Sequence, residues 1–106
     1  MRNMPSYIVK IEGAYLTFSS VSDAFIRWPM TRAELKHWHD EEFGRSGRFD
    51  ERMERVDQKG TSAIGDDSWE DTVCCNRAGL FETHLEAEQI RAAVRAYLQE
   101  LKQDQP

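Results

Sequence analysis

From Ser6 to Ser20 the chain alternates. Tyr7, Val9 and Ile11 interleave with Ile8, Lys10 and Glu12, and Tyr15, Leu16, Thr17 and Phe18 follow Gly13 with the same β-rich composition. Period-two patterning with β-branched and aromatic residues predicts a pleated, half-buried ribbon. Glu12-Gly13 between the runs predicts a hairpin turn, because glycine tolerates positive φ. Val21 to Trp28 carries Phe25, Ile26 and Trp28 and predicts a third strand that Pro29 ends. A two-stranded ribbon is marginal in water, so it needs this strand or a helix over one face.

The period then changes to that of helices. Thr31-Arg32-Ala33-Glu34 reads as a capping box, with Met30 and Leu35 at the two positions of a hydrophobic staple. The helix should run to about Phe43 and close on Gly44 as a left-handed cap, with Leu35, Trp38 and Phe43 as its apolar stripe. Arg45 to Gly47 reads as a turn. Phe49, Met53 and Val56 are spaced by four and three, which predicts a short helix from about Phe49 to Gln58, with an extended segment as the competing reading. Lys59 to Asp67 is loop-like. Ser68-Trp69-Glu70-Asp71 starts a helix that should stop near Asn76, and Leu80 to His84 reads as extended. The last helix should span Ala87 to Gln103, with Leu85 and Ile90 stapled around a Glu86 cap. Ile90, Val94, Tyr97, Leu98 and Leu101 form its apolar face. Lys102 to Pro106 should fray.

These elements predict an α+β fold: an N-terminal antiparallel hairpin or three-strand meander packed against two to four helices, in one domain covering residues 1–106. The chain has 106 residues, 40% of them hydrophobic and 31% charged, which suffices for a modest core with polar cover. The net charge of −5 argues against nucleic acid and against an anionic membrane surface as partners. No stretch approaches the length of a membrane span, and the start of the chain lacks the apolar run of a secretory signal. Cys74 and Cys75 are the only cysteines and are adjacent, so no disulfide framework is expected and cytoplasmic residence with reduced thiols is the simplest reading.

Candidate chemistry is sparse, and neither a catalytic residue nor a cofactor is assigned. His37 and His39 stand about 200° apart around a helix, which sets them against a shared ion. His37, His39 and His84 with nearby carboxylates support only an alternative reading as a small metal protein or enzyme. For the cysteine pair, one buried apolar thiol and one incidental neighbour is expected. Residues 57–70 fail the calcium-loop pattern, and no phosphate-binding loop or nucleophile elbow is present. Asp66, Asp67, Glu70 and Asp71 read as an acidic helix start. Arg48, Arg52 and Arg55 would line one helix face and suit a carboxylate or phosphate, although pairing with Asp50, Glu51 and Glu54 within the helix is the stronger expectation. Trp69, beside acids at a helix start, is expected to be partly exposed and to anchor a partner.

The runs Tyr15–Ser19, Asp23-Ala24, Pro29–Arg32, Glu54–Val56, Gly60–Ser62 and Asn76–Gly79 resemble small acidic proteins of phages and prophages, over most of residues 7–90. The resemblance carries no assigned chemistry. Such proteins often bind and block a host protein, including components of host defence. It therefore implies a non-catalytic protein-binding module acting by surface occlusion. Loop 59–68 and the turn at Asn76–Gly79 are its candidate contacts, and Gly and Asn would supply positive φ there. Trp69, Asp66, Asp67, Glu70, Asn76, Arg77, Arg48, Arg52 and Arg55 are the candidate partner-binding residues. A self-associating protein, a homodimer through the Ile90–Leu101 stripe, is the other alternative.

Overall fold

Strands β1 (Ser6–Ile11), β2 (Ala14–Ser19) and β3 (Ala24–Met30) form an antiparallel sheet in that order in the computed structural model, which describes residues 6–44 and 48–103. The N-terminal meander and the helices around it make this an α+β fold. Tyr7 faces Phe18, Val9 faces Leu16 and Ile11 faces Ala14 across the first hairpin. Glu12 and Gly13 both have positive φ, 53° and 82°, the twist a two-residue hairpin turn needs.

The third strand differs from expectation at both ends. It starts at Ala24 because the segment before it turns, with Ser19 Oγ accepting from the amides of Val21 and Ser22 and Asp23 at φ 55°. It continues through Pro29 to Met30, because β3 is a sheet edge and an edge strand tolerates a missing N–H. The opposite edge, by contrast, is occupied. Segment 60–62, read as loop, runs along β1: Lys10 N donates to Gly60 O at 2.9 Å and Ser62 N to Ile8 O at 2.8 Å. Thr61, Ser62 and Ala63 are consequently buried.

Among the described residues four α-helices cover both faces of the sheet: α1 (Arg32–Phe43), α2 (Phe49–Lys59), α3 (Trp69–Thr72) and α4 (Ala87–Gln103). On one face Val9, Ile11, Leu16 and Phe18 pack with Trp69, Val73, Ile90 and Val94. On the other, Ile8, Tyr15 and Met30 pack with Leu35, Met53 and Val56. Every residue of β2 is buried, so the ribbon read as half-buried is a central strand between two helical layers. Each large side chain buried this way contributes about 1.5–3 kcal/mol.

The caps form as the sequence indicates. Glu34 N donates to Thr31 Oγ1 at 3.1 Å and Thr31 N to Glu34 Oε1 at 2.9 Å, with Met30 and Leu35 buried together below. Gly44 has φ 72° but ψ 177°, so it ends α1 with an extended turn in place of a left-handed one. Residues 49–59 are helical, and Gly60 supplies their left-handed cap. Helix α3 has a capping box between Ser68 and Asp71 but stops at Thr72, short of Asn76. The Ser68 amide donates to the Asp71 carboxylate and holds its pKa below the usual range. Ahead of α4, Glu86 N donates to Gln89 Oε1 at 2.8 Å, and Leu85 packs against the cluster that contains Ile90. Ile90 and Val94 are fully committed to the chain's own core, so the stripe read as a dimer face is not free over its first half. Lys102 and Gln103 continue the helix. The turn at 45–47 and the end beyond residue 103 lie outside the described residues.

Candidate functional site

Between α3 and α4 the chain makes a loop that Asn76 holds shut. Its side chain, 2% exposed, makes four hydrogen bonds. Nδ2 donates to Val73 O at 2.8 Å and Leu85 O at 2.9 Å, and Oδ1 accepts from Ala78 N at 3.1 Å and Leu85 N at 3.0 Å. One amide therefore uses both donors and its acceptor to tie residues 73 and 78 to residue 85. Inside this brace, Gly79 N donates to Thr83 O at 2.8 Å, and Thr83 Oγ1 donates to Leu80 O at 2.9 Å.

The brace sets the tip of the loop. Leu80–Glu82, expected to be extended, is a single 3-10 turn whose Phe81 and Glu82 have φ of 61° and 59°. A left-handed backbone at a bulky residue is uncommon and costs on the order of 1–3 kcal/mol. The positive φ expected at Asn76 and Gly79 falls instead on these two residues, and Gly79 has φ −78°. Gly79 is required for space: a Cβ there would lie 2.3 Å from Thr83 Oγ1. The tip then presents Leu80 at 85% and Phe81 at 96% exposure. Two large apolar side chains are held in water by a fixed, strained turn.

The sequence missed these two residues. They fall in the Leu80–His84 segment that reads as extended, and only the absence of period-two or period-3.6 neighbours between Gly79 and Leu85 signals that no face of it is buried. Several residues it did select have structural tasks. Trp69 is 9% exposed, not partly open; it packs on the core beside Gly60, with the Arg91 guanidinium 5.2 Å from its ring centroid. Glu70 pairs with Arg91 at 2.8 Å. Asn76 is a brace and is closed to a partner. Arg77 is exposed, and its backbone N–H donates to Asp23 O. Asp66 and Asp67 are exposed, next to Ile64 at 83% exposure in the same loop.

On α2 the arginines do not pair along their helix. Arg48 precedes it with a left-handed backbone, φ 60°. Arg52 and Arg55 form no ion pair among the described residues and donate to main-chain carbonyls of Ser6 and Ser62. Asp57 of α2 pairs instead with Arg32 at 3.1 Å.

The histidines are not brought together. His37 is exposed and 2.9 Å from Glu41, while His84 lies beside Asn76 O and Glu86. His39 is fully buried among Phe43, Phe49 and Trp38 because it sits one turn after Leu35. Burial, reinforced by the charge of Arg52, lowers its pKa to about 4. Among the described residues no three His, Cys, Asp or Glu side chains converge as metal ligands. Cys74 and Cys75 are both exposed, contrary to the expected burial of one, with sulfurs 3.7 Å apart. Their contact raises the Cys74 pKa, which disfavours the reactive thiolate. No helix among the described residues is long and apolar enough to cross a membrane.

The fold class is thus α+β, a meander between helical layers, and the feature that stands out from it is an apolar loop tip. No protein-family model, curated protein or solved structure matches the chain.

Proposed function

We propose that this chain is a non-catalytic protein-binding module, a phage-type inhibitor that acts in the cytoplasm by occluding a surface of a host protein complex. One observation carries the reading: Leu80 and Phe81 stand exposed on a turn that buried Asn76 braces from both sides. Aromatic anchors entering a partner's pocket supply most of the affinity of many interfaces. A loop already fixed in shape loses little entropy on docking. The strain at Phe81 fits the same role, because strained backbone persists only where the surrounding structure over-determines it and clusters at ligand-binding and switch segments. The excess of acidic residues would steer association with a basic partner surface.

The test is retention of a host protein from bacterial lysate on immobilised wild-type chain and on a Leu80→Ala, Phe81→Asn double variant. A partner held by the wild type and lost by the folded variant is expected. An identical set of retained proteins on both would remove the loop from the interface. Solution mass against concentration accompanies it: a dimer that the same variant dissociates would replace the host partner with a second copy of this chain.

A further inference from the structure

On the other helical layer, α2 places Arg52 and Arg55 about 60° apart around its axis, on the same side of the helix. They border a cleft of about 330 Å³ whose other walls include Tyr7, Ser62 and the exposed Ile64. Both guanidiniums are fixed by hydrogen bonds to the rest of the chain. Arg52 donates to Ser6 O at 2.6 Å and to the buried His39, and Arg55 Nε donates to Ser62 O at 2.8 Å. The terminal nitrogens of Arg55 have no acceptor among the described residues. Two like charges are therefore held close together, partly out of water, with no carboxylate among the described residues in ion-pair contact. Burial, and then the neighbouring charge of Arg55, lowers the Arg52 pKa. The acid on the rim of the cleft, Asp67, pairs with neither arginine.

We propose that this cleft is an oxyanion-binding site, taking a phosphate monoester or a carboxylate on the free edge of Arg55 with Arg52 alongside. A guanidinium anchored through Nε leaves two parallel N–H donors for a bidentate partner, and charge-assisted pairs of that geometry are the strong ones. In a chain with net charge −5, a local surplus of positive charge is maintained here by tertiary structure. The site is separate from the Leu80–Phe81 loop and stands whether or not that loop docks a protein.

Titration of the full chain with inorganic phosphate, and separately with acetate at constant ionic strength, tests this by chemical-shift perturbation. Saturable binding of one or both is expected, and which probe binds distinguishes the two sources of the anion. Arg55→Gln should weaken it at least about tenfold, a loss of about 1.4 kcal/mol. Arg55→Lys, which keeps the charge without the fork, should also weaken it. Asp67→Asn should tighten it by removing a like charge from the rim. This variant alters an exposed side chain and carries the test if Arg55→Gln does not fold. No saturable binding of either probe, or equal affinity in wild type, Arg55→Gln and Asp67→Asn, would overturn the site.

Discussion

Arg52 donates from Nη1 to Nε2 of His39 across 3.0 Å, so a permanent cation is bonded to a fully buried imidazole. Arginine is a donor only, which fixes His39 as the neutral tautomer with its proton on Nδ1. That nitrogen has no partner among the described residues. The pair joins α1 to α2, and Arg52 also lies over the Phe43 ring and reaches Ser6 O at the start of β1.

The pair predicts acid lability. The unfolded chain protonates His39 near its ordinary pKa of 6.5, whereas the folded chain resists until about 4. Between these values the unfolded state binds more protons. The contribution is therefore complete above pH 6.5 and is lost as pH falls towards 4. The full shift corresponds to about 3 kcal/mol. Denaturant unfolding at pH 7 and pH 4.5 should show most of this loss in the wild type and little of it in His39→Gln. Equal pH dependence in both would refute the assignment.

Asn76→Ala removes four hydrogen bonds and strands buried and half-buried main-chain groups of Val73, Ala78 and Leu85. A cost of about 2–4 kcal/mol is expected. Amide exchange at Ala78 and Leu85 should accelerate together, since one side chain protects both. Loss of protection at only one of them would show that the loop has a second brace.

Phe81→Asn should leave thermal stability unchanged or raise it, although the site holds a large apolar residue. At 96% exposure there is little packing to lose, and asparagine tolerates the left-handed backbone at φ 61°. A fall in Tm of several degrees would mean that Phe81 packs on its own chain and is not a docking residue.

Thr31→Ala should destabilise by about 1 kcal/mol, the usual value of an N-cap hydroxyl. Glu34→Gln should cost less, because a neutral amide oxygen can still accept from Thr31 N. Melting curves of the two variants check the order.

Local signals in the sequence located most of the elements. The Glu12-Gly13 turn, the Thr31–Glu34 box and the apolar spacing of α2 and α4 each act over a few residues, and each appears where the chain places it. The candidate sites were less legible. Arg52 and Arg55 were visible as a stripe, but whether they paired with neighbouring acids or turned away was set by the carbonyls of Ser6 and Ser62, 46 and 7 residues distant. Leu80 and Phe81 gave no sign of their exposure, because hydrophobicity alone says nothing about what lies opposite.

What the sequence determined by itself is therefore local: period, turns and caps, whose energies come from neighbours along the chain. Tertiary structure decided burial and exposure. It set β2 between two helical layers, drew His39 inside, covered Trp69 and left Phe81 in water. Those outcomes depend on which surfaces meet across long separations, and no short stretch of residues encodes that.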